Sequence, residues 1–172
     1  MNRFHISLVL LFHLNLPAMA QQTPALPLPE MQRLSKMYVG TWTYTETYAG
    51  GVKNTGVYTS ELGPGGNSII NRFHSKGPAG ESEGVLVMTW EAREKAYKCY
   101  VLGGDFPGAL VESGQWDGAT LVFRGELVSG PVKVAVRNTA TLRADGTLVG
   151  ETFSSANGAP EKLLVHVEAV RK

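Results

Sequence analysis

Gly40-Thr41-Trp42-Thr43-Tyr44-Thr45-Glu46-Thr47-Tyr48-Ala49 is the stretch on which the fold turns. Trp42, Tyr44, Glu46 and Tyr48 alternate with Thr41, Thr43, Thr45 and Thr47. A period of two puts the aromatic residues on one face of an extended strand and the threonines on the other. Both residue types favour a pleated surface. The segment therefore reads as a first strand with an inward aromatic face.

Upstream, the periodicity is helical. Met31, Leu34 and Met37 or Tyr38 recur on one stripe, Pro29 suits a first helical turn, and Glu30 complements the positive end of the dipole. One short helix ending by Gly40 is expected, with its apolar stripe covering one mouth of the strand region downstream.

Beyond the first strand, short alternating runs succeed one another at residues 55–62, 68–75, 84–92, 96–102, 109–116, 121–128, 132–142, 148–153 and 163–170. Gly50-Gly51, Arg93-Glu94-Lys95, Asp117-Gly118, Asp145-Gly146 and Asn157-Gly158 separate them. Asx-Gly pairs supply the left-handed backbone that tight hairpins need. Short turns make sequence neighbours spatial neighbours, so the chain is an antiparallel meander. Closing a meander of eight to ten strands removes both exposed edges. The expected fold is all-β: a barrel of about that size with a short N-terminal helix, its interior filled by side chains or open to one small ligand.

The chain has 172 residues, 43% of them hydrophobic and 18% charged, which suits one globular domain. Residues 1–20 differ from the rest. Arg3 and His5 precede an apolar run, and Ala18-Met19-Ala20 offers small residues for cleavage. This is the pattern of a secretory leader, followed by a Pro-rich linker over 21–29 and the barrel over 30–172. Removing the leader leaves 15 basic and 15 acidic residues, so no electrostatic footprint for nucleic acid or an anionic membrane exists. No membrane anchor is expected, and the mature chain would be periplasmic or extracellular, as a monomer or small homo-oligomer. Cys99 is the single cysteine, which excludes an intrachain disulfide and a Cys-based metal cluster. Its apolar strand makes it a buried, inert thiol.

Gly40-x-Trp42 after a helical lead-in resembles the lipocalin-like (calycin) signature. Leu34, Gly114-Gln115-Trp116-Asp117, Leu121 with Gly125, Arg137, Asp145-Gly146 and Arg171-Lys172 follow the same order. Together they resemble the exported, lipocalin-like bacterial family catalogued as domain of unknown function 1579. The resemblance spans 29–172 and implies a barrel of the lipocalin or fatty-acid-binding type, with no assigned activity. It also implies that Gly40, Trp42 and Arg171 close the barrel, the guanidinium packing on the indole. His166-Val167-Glu168-Ala169 is similar to the last strand of nitrobindins, ten-stranded haem barrels with a histidine ligand there. That similarity makes His166 the candidate if haem is bound; otherwise no cofactor and no metal are expected.

Arg137 and Glu151 fall mid-strand, where a shift of one residue separates lumen from surface. Either they meet inside and orient a bound carboxylate or carbonyl, or they belong to a surface row of charges. Tyr44, Trp90, Tyr100 and Trp116 serve equally well as core or as pocket lining. No nucleophile elbow, phosphate loop or nucleophile–histidine pair is present in the sequence. The expected function is binding of a small apolar or amphipathic molecule in the lumen, without chemistry. The alternatives are a haem barrel and an interaction module with a filled interior.

Overall fold

The computed structural model describes residues 28–103, 108–129 and 131–172. The expected leader, the linker up to residue 27 and the tip of the glycine-rich loop at 104–107 lie outside the described residues. Helix α1 (Pro29–Tyr38) precedes ten strands: β1 (Gly40–Tyr48), β2 (Lys53–Leu62), β3 (Ser68–Gly77), β4 (Gly80–Glu91), β5 (Ala96–Gly103), β6 (Leu110–Asp117), β7 (Thr120–Ser129), β8 (Val132–Leu142), β9 (Leu148–Ala156) and β10 (Lys162–Arg171). Each strand pairs antiparallel with its sequence neighbours, and β1 pairs with β10, so the wall is closed. The architecture is the all-β meander barrel with one short helix that the turn chemistry predicts.

The seam between first and last strand runs in register from Trp42 opposite Arg171 to Tyr48 opposite Val165. Alternation along β1 is as read: Trp42 and Tyr44 are buried in the interior, and Thr41, Thr43 and Thr45 lie on the other face. In β7, Leu121 and Phe123 are buried while Arg124 is exposed, the same period of two.

Helix α1 closes one end. Met31, Leu34 and Met37 are buried, and each joins a core cluster made of strand residues. Ile69, Met88, Tyr97, Leu121 and Phe123 pack under Met31 and Leu34; Trp42, Tyr44, Tyr58, Leu148 and Ala169 gather around Met37. Burying one such side chain stabilises by roughly 1.5–3 kcal/mol, so the lid is held by packing more than by helix propensity. Gly40, between lid and wall, has φ +134°, a conformation that a side chain strains. Among the described residues no helix is long and apolar enough to cross a membrane.

Candidate functional site

Beyond the end closed by α1, the described residues leave space in the barrel interior. A cavity of about 440 Å³ occupies it. Leu86, Val101, Leu110, Leu127, Val136 and Val167 contribute most of its aliphatic wall, and Tyr44, Tyr58 and Phe73 its aromatic side. That volume is within the range of small-molecule sites.

A few polar groups interrupt this apolar lining. Glu112, at mid-strand in β6, faces the cavity and is 2% exposed. Asn138 Nδ2 donates to its Oε1 at 2.7 Å, and Thr152 Oγ1 donates to Asn138 Oδ1 at 2.6 Å. Three successive inward positions on β6, β8 and β9 thus form one chain of hydrogen bonds. Among the described residues Asn138 is the hydrogen-bond partner of the Glu112 carboxylate, and no cation faces it. Burial pushes its pKa up to about 7, and the Asn138 amide offsets part of that rise. Gly125, directly across on β7, leaves room for the side chain: a Cβ there would stand 2.9 Å from Glu112 Cγ and 2.8 Å from the Val111 carbonyl.

The remaining polar groups of the cavity include a second carboxylate, an amide and hydroxyls. Glu46, towards the open end, accepts from the Tyr48 hydroxyl at 3.0 Å. Asn71 Nδ2 donates to Ser60 Oγ at 2.8 Å, but Asn71 Oδ1 and the Tyr58 hydroxyl are buried without a partner. Burial raises the Tyr58 and Tyr38 phenols, and brings Tyr44 to about 12, so all three are neutral donors. Cys99, opposite Glu112 on β5, is buried with its thiol pushed well up, as expected for an inert cysteine.

The six residues expected to bind a ligand divide sharply. Tyr44 lines the cavity. Trp90 and Trp116 do not: they seat the lid. Trp116 Nε1 donates to the Tyr97 hydroxyl at 3.1 Å, which donates to the Glu30 carbonyl at 3.0 Å, while Arg33 stacks on the Trp116 ring at 3.6 Å. The inward face of β4 and β6 is thus shared, and the helix takes the end that carries the tryptophans. Tyr100 falls on the outer parity of β5, beside Val111 on β6.

Arg137 is also outside. Its guanidinium packs over Phe153 at 3.9 Å and pairs with Glu161 at 2.7 Å, while Val136 and Asn138 on either side take the inward positions. Glu151 borders the cavity, but its carboxylate is turned to the outer face, 3.5 Å from His166 Nδ1. The interior pair of Arg137 and Glu151 is therefore replaced by the surface row, because β8 and β9 register in the opposite parity.

His166 shares that outer face with Glu151 and with Glu168, 3.8 Å from its Nε2. Val165 and Val167, its neighbours along β10, pair with the inward Thr152 and Gly150. A haem in the cavity would not meet the imidazole, so the residues present do not fit histidine-ligated haem. Among the described residues no group of three His, Cys, Asp or Glu side chains converges on a point.

Trp42 and Arg171 face each other at the seam, with Gly40 beside the Arg171 side chain. Arg171 lies over the Trp42 ring at 4.6 Å, and Trp42 Nε1 donates to the Tyr38 carbonyl at 2.9 Å. The residues that sequence reasoning missed are Glu112, Asn138 and Thr152. Their signal was parity: Leu110, Glu112, Gly114 and Trp116 share one face of β6, and two of them are plainly interior types.

No family model and no curated protein matches the chain. Solved structures do. The crystal structure of Rv2717c from M. tuberculosis superposes with a TM-score of 0.59 at 16% identity, over 84% of this chain and 98% of that one. The S-type phycobiliprotein lyase CPES from Guillardia theta superposes with a TM-score of 0.54 at 12% identity, over 82% and 92%. At such identities the likeness is one of fold alone: the chain is a closed ten-stranded antiparallel barrel.

Proposed function

We propose that this is an exported barrel that binds one small, largely apolar molecule in its lumen without transforming it. The observation that carries the reading is the cavity of about 440 Å³ inside a closed wall, apolar on most of its surface and lidded at one end by α1. A packed barrel interior would have left no such space. Cys99, the thiol that lines the cavity opposite Glu112, is held protonated by burial, which favours binding over chemistry. The ordered motifs from Gly40-Thr41-Trp42 to Arg171 support distant kinship with the family catalogued as domain of unknown function 1579. Residues 1–20 support export, for which the mass of the chain recovered from the culture fluid or periplasm is the check: a start at Gln21 is expected.

Titration with the neutral fluorophore N-phenyl-1-naphthylamine tests the binding reading. Saturable enhancement at one site per chain is expected, and it should be lost in Val136→Phe, which fills the lumen from β8. Enhancement that Val136→Phe leaves intact, or no enhancement, would sink it. Native mass spectrometry of the freshly purified protein then reads the mass of any retained occupant.

A further inference from the structure

We infer that the lumen selects molecules that carry a basic nitrogen, an apolar body with a protonated amine or amidine head, which the Glu112 carboxylate receives. This rests on the reading of the barrel as a lumenal binder and adds the chemical class of its ligand.

The polar groups bordering the cavity are the Glu112 and Glu46 carboxylates, Glu151 with its carboxylate turned outward, the Asn71 and Asn138 amides, the Cys99 thiol and neutral hydroxyls; among the described residues no Lys, Arg or His borders it. A bound carboxylate would meet two acidic groups and no counter-charge, at a cost that burial magnifies. A bound N–H donor meets the reverse situation. Asn71 Oδ1 is buried and unpartnered, and Glu112 holds a single hydrogen bond although an ionised carboxylate accepts about four. Buried acceptors left open in this way are costly, and a ligand that fills them recovers the cost.

Geometry sets Glu112 for this task. The Asn138 amide can donate only to one oxygen while its own carbonyl is held by Thr152, so the carboxylate is oriented from β8 and β9. Gly125 clears the wall opposite. The groups facing it are Cys99 from β5, Asn138 from β8 and the Tyr38 phenol from α1, with Glu46 elsewhere on the same cavity. Cys99 and Tyr38 are held neutral by burial, so none of these supplies positive charge. A ligand cation would be the first one in the lumen. It would hold Glu112 ionised, whereas in its absence the side chain gains a proton near neutrality.

The test compares octylamine, octanol and octanoate, which share a chain and differ in the head, as competitors of N-phenyl-1-naphthylamine. At about pH 8 octylamine should bind at least about tenfold more tightly than octanol, and octanoate most weakly. Between about pH 8 and pH 5 the affinity for octylamine should fall towards that of octanol, which should stay level. Glu112→Gln should abolish both the preference for octylamine over octanol and its pH dependence. The wild-type pH series stands without the variant should Glu112→Gln fold poorly. Equal affinities, or a preference for octanoate, would overturn the inference and leave lumenal binding intact. Failure of the fluorophore itself to bind would overturn the lumenal reading instead.

Discussion

Arg171 and Trp42 are register partners at the seam of the barrel, and the guanidinium of one lies 4.6 Å from the indole centroid of the other. The same guanidinium donates from Nη2 to the Lys36 carbonyl at 3.1 Å. One side chain therefore ties together the last strand, the first strand and the last turn of the lid. The Trp42 indole completes the arrangement by donating to Tyr38. All of these contacts lie at the closed end, and of their residues Tyr38 alone also borders the cavity.

Replacing Arg171 with alanine should accordingly cost about 1 kcal/mol, seen as a drop of roughly 2–4 °C in Tm. Trp42→Ala, which empties a fully buried site, should cost about 3–5 kcal/mol. Fluorophore affinity of Arg171→Ala should match wild type. A melting curve that does not move would show that the clasp adds nothing to stability, and a lost affinity would mean that seam and lumen are coupled.

Glu112 makes stability depend on pH in a predictable direction. Its ordinary pKa is 4.5, and in the fold it is pushed up to about 7. Below about pH 4.5 both folded and unfolded chains hold the proton, and burial of the neutral acid carries no ionic penalty. Between 4.5 and 7 the unfolded chain releases it while the folded chain retains it, so stability falls as pH rises. The loss is complete above 7 and is about 3 kcal/mol. Glu112→Gln, which cannot ionise, should therefore gain on wild type by that amount across this window and run parallel to it elsewhere. Urea midpoints of the two proteins against pH give the comparison, and parallel curves throughout would contradict the burial of an ionisable group.

Cys99 offers a check on the closed wall. The thiol is 2% exposed and raised by burial, with the Glu112 carboxylate adding to the rise. Ellman's reagent should modify it only through opening of the fold, at least about 100-fold more slowly than in guanidinium chloride. Rapid modification of the native protein would mean that the reagent reaches the thiol through the lumen or through a breached β4–β5–β6 wall.

The number, order and closure of the strands were legible because turn chemistry is local: Asp117-Gly118 or Asp145-Gly146 declares a hairpin wherever it stands. The lid was legible because Met31, Leu34 and Met37 share a stripe. Which parity faces inward was much less so. In β6 the usual code is inverted, since Val111 is 48% exposed and Glu112 is 2% exposed. A glutamate at a buried position is the rarer event, and only its phase with Leu110 and Trp116 announces it. Arg137 misled for the complementary reason. A long cation covers apolar surface with its stem and packs on Phe153, so a mid-strand arginine in a valine- and alanine-rich run serves the outer wall as well as the inner. The aromatic residues divided between lid seat, lumen and surface according to their height along the strand, a coordinate that composition does not carry.

Arg137 and Asn138, adjacent in sequence and on opposite faces of the wall, give the sharpest separation of surface from site. Arg137→Ala removes an outer stack on Phe153 and a pair with the half-exposed Glu161. Its cost should be about 1 kcal/mol, with no effect on fluorophore affinity. Asn138→Leu acts inside. It deprives the Glu112 carboxylate of its donor and leaves the Thr152 hydroxyl without its acceptor, at a cost of about 1–3 kcal/mol. Losing that hydrogen bond removes the contribution that lowers the Glu112 pKa, so the upper end of the pH-dependent stability change should move upward from about 7. The urea series on Asn138→Leu reads that movement directly. An upper end that stays in place, or moves instead in Arg137→Ala, would show that the inward and outward faces of β8 have been exchanged.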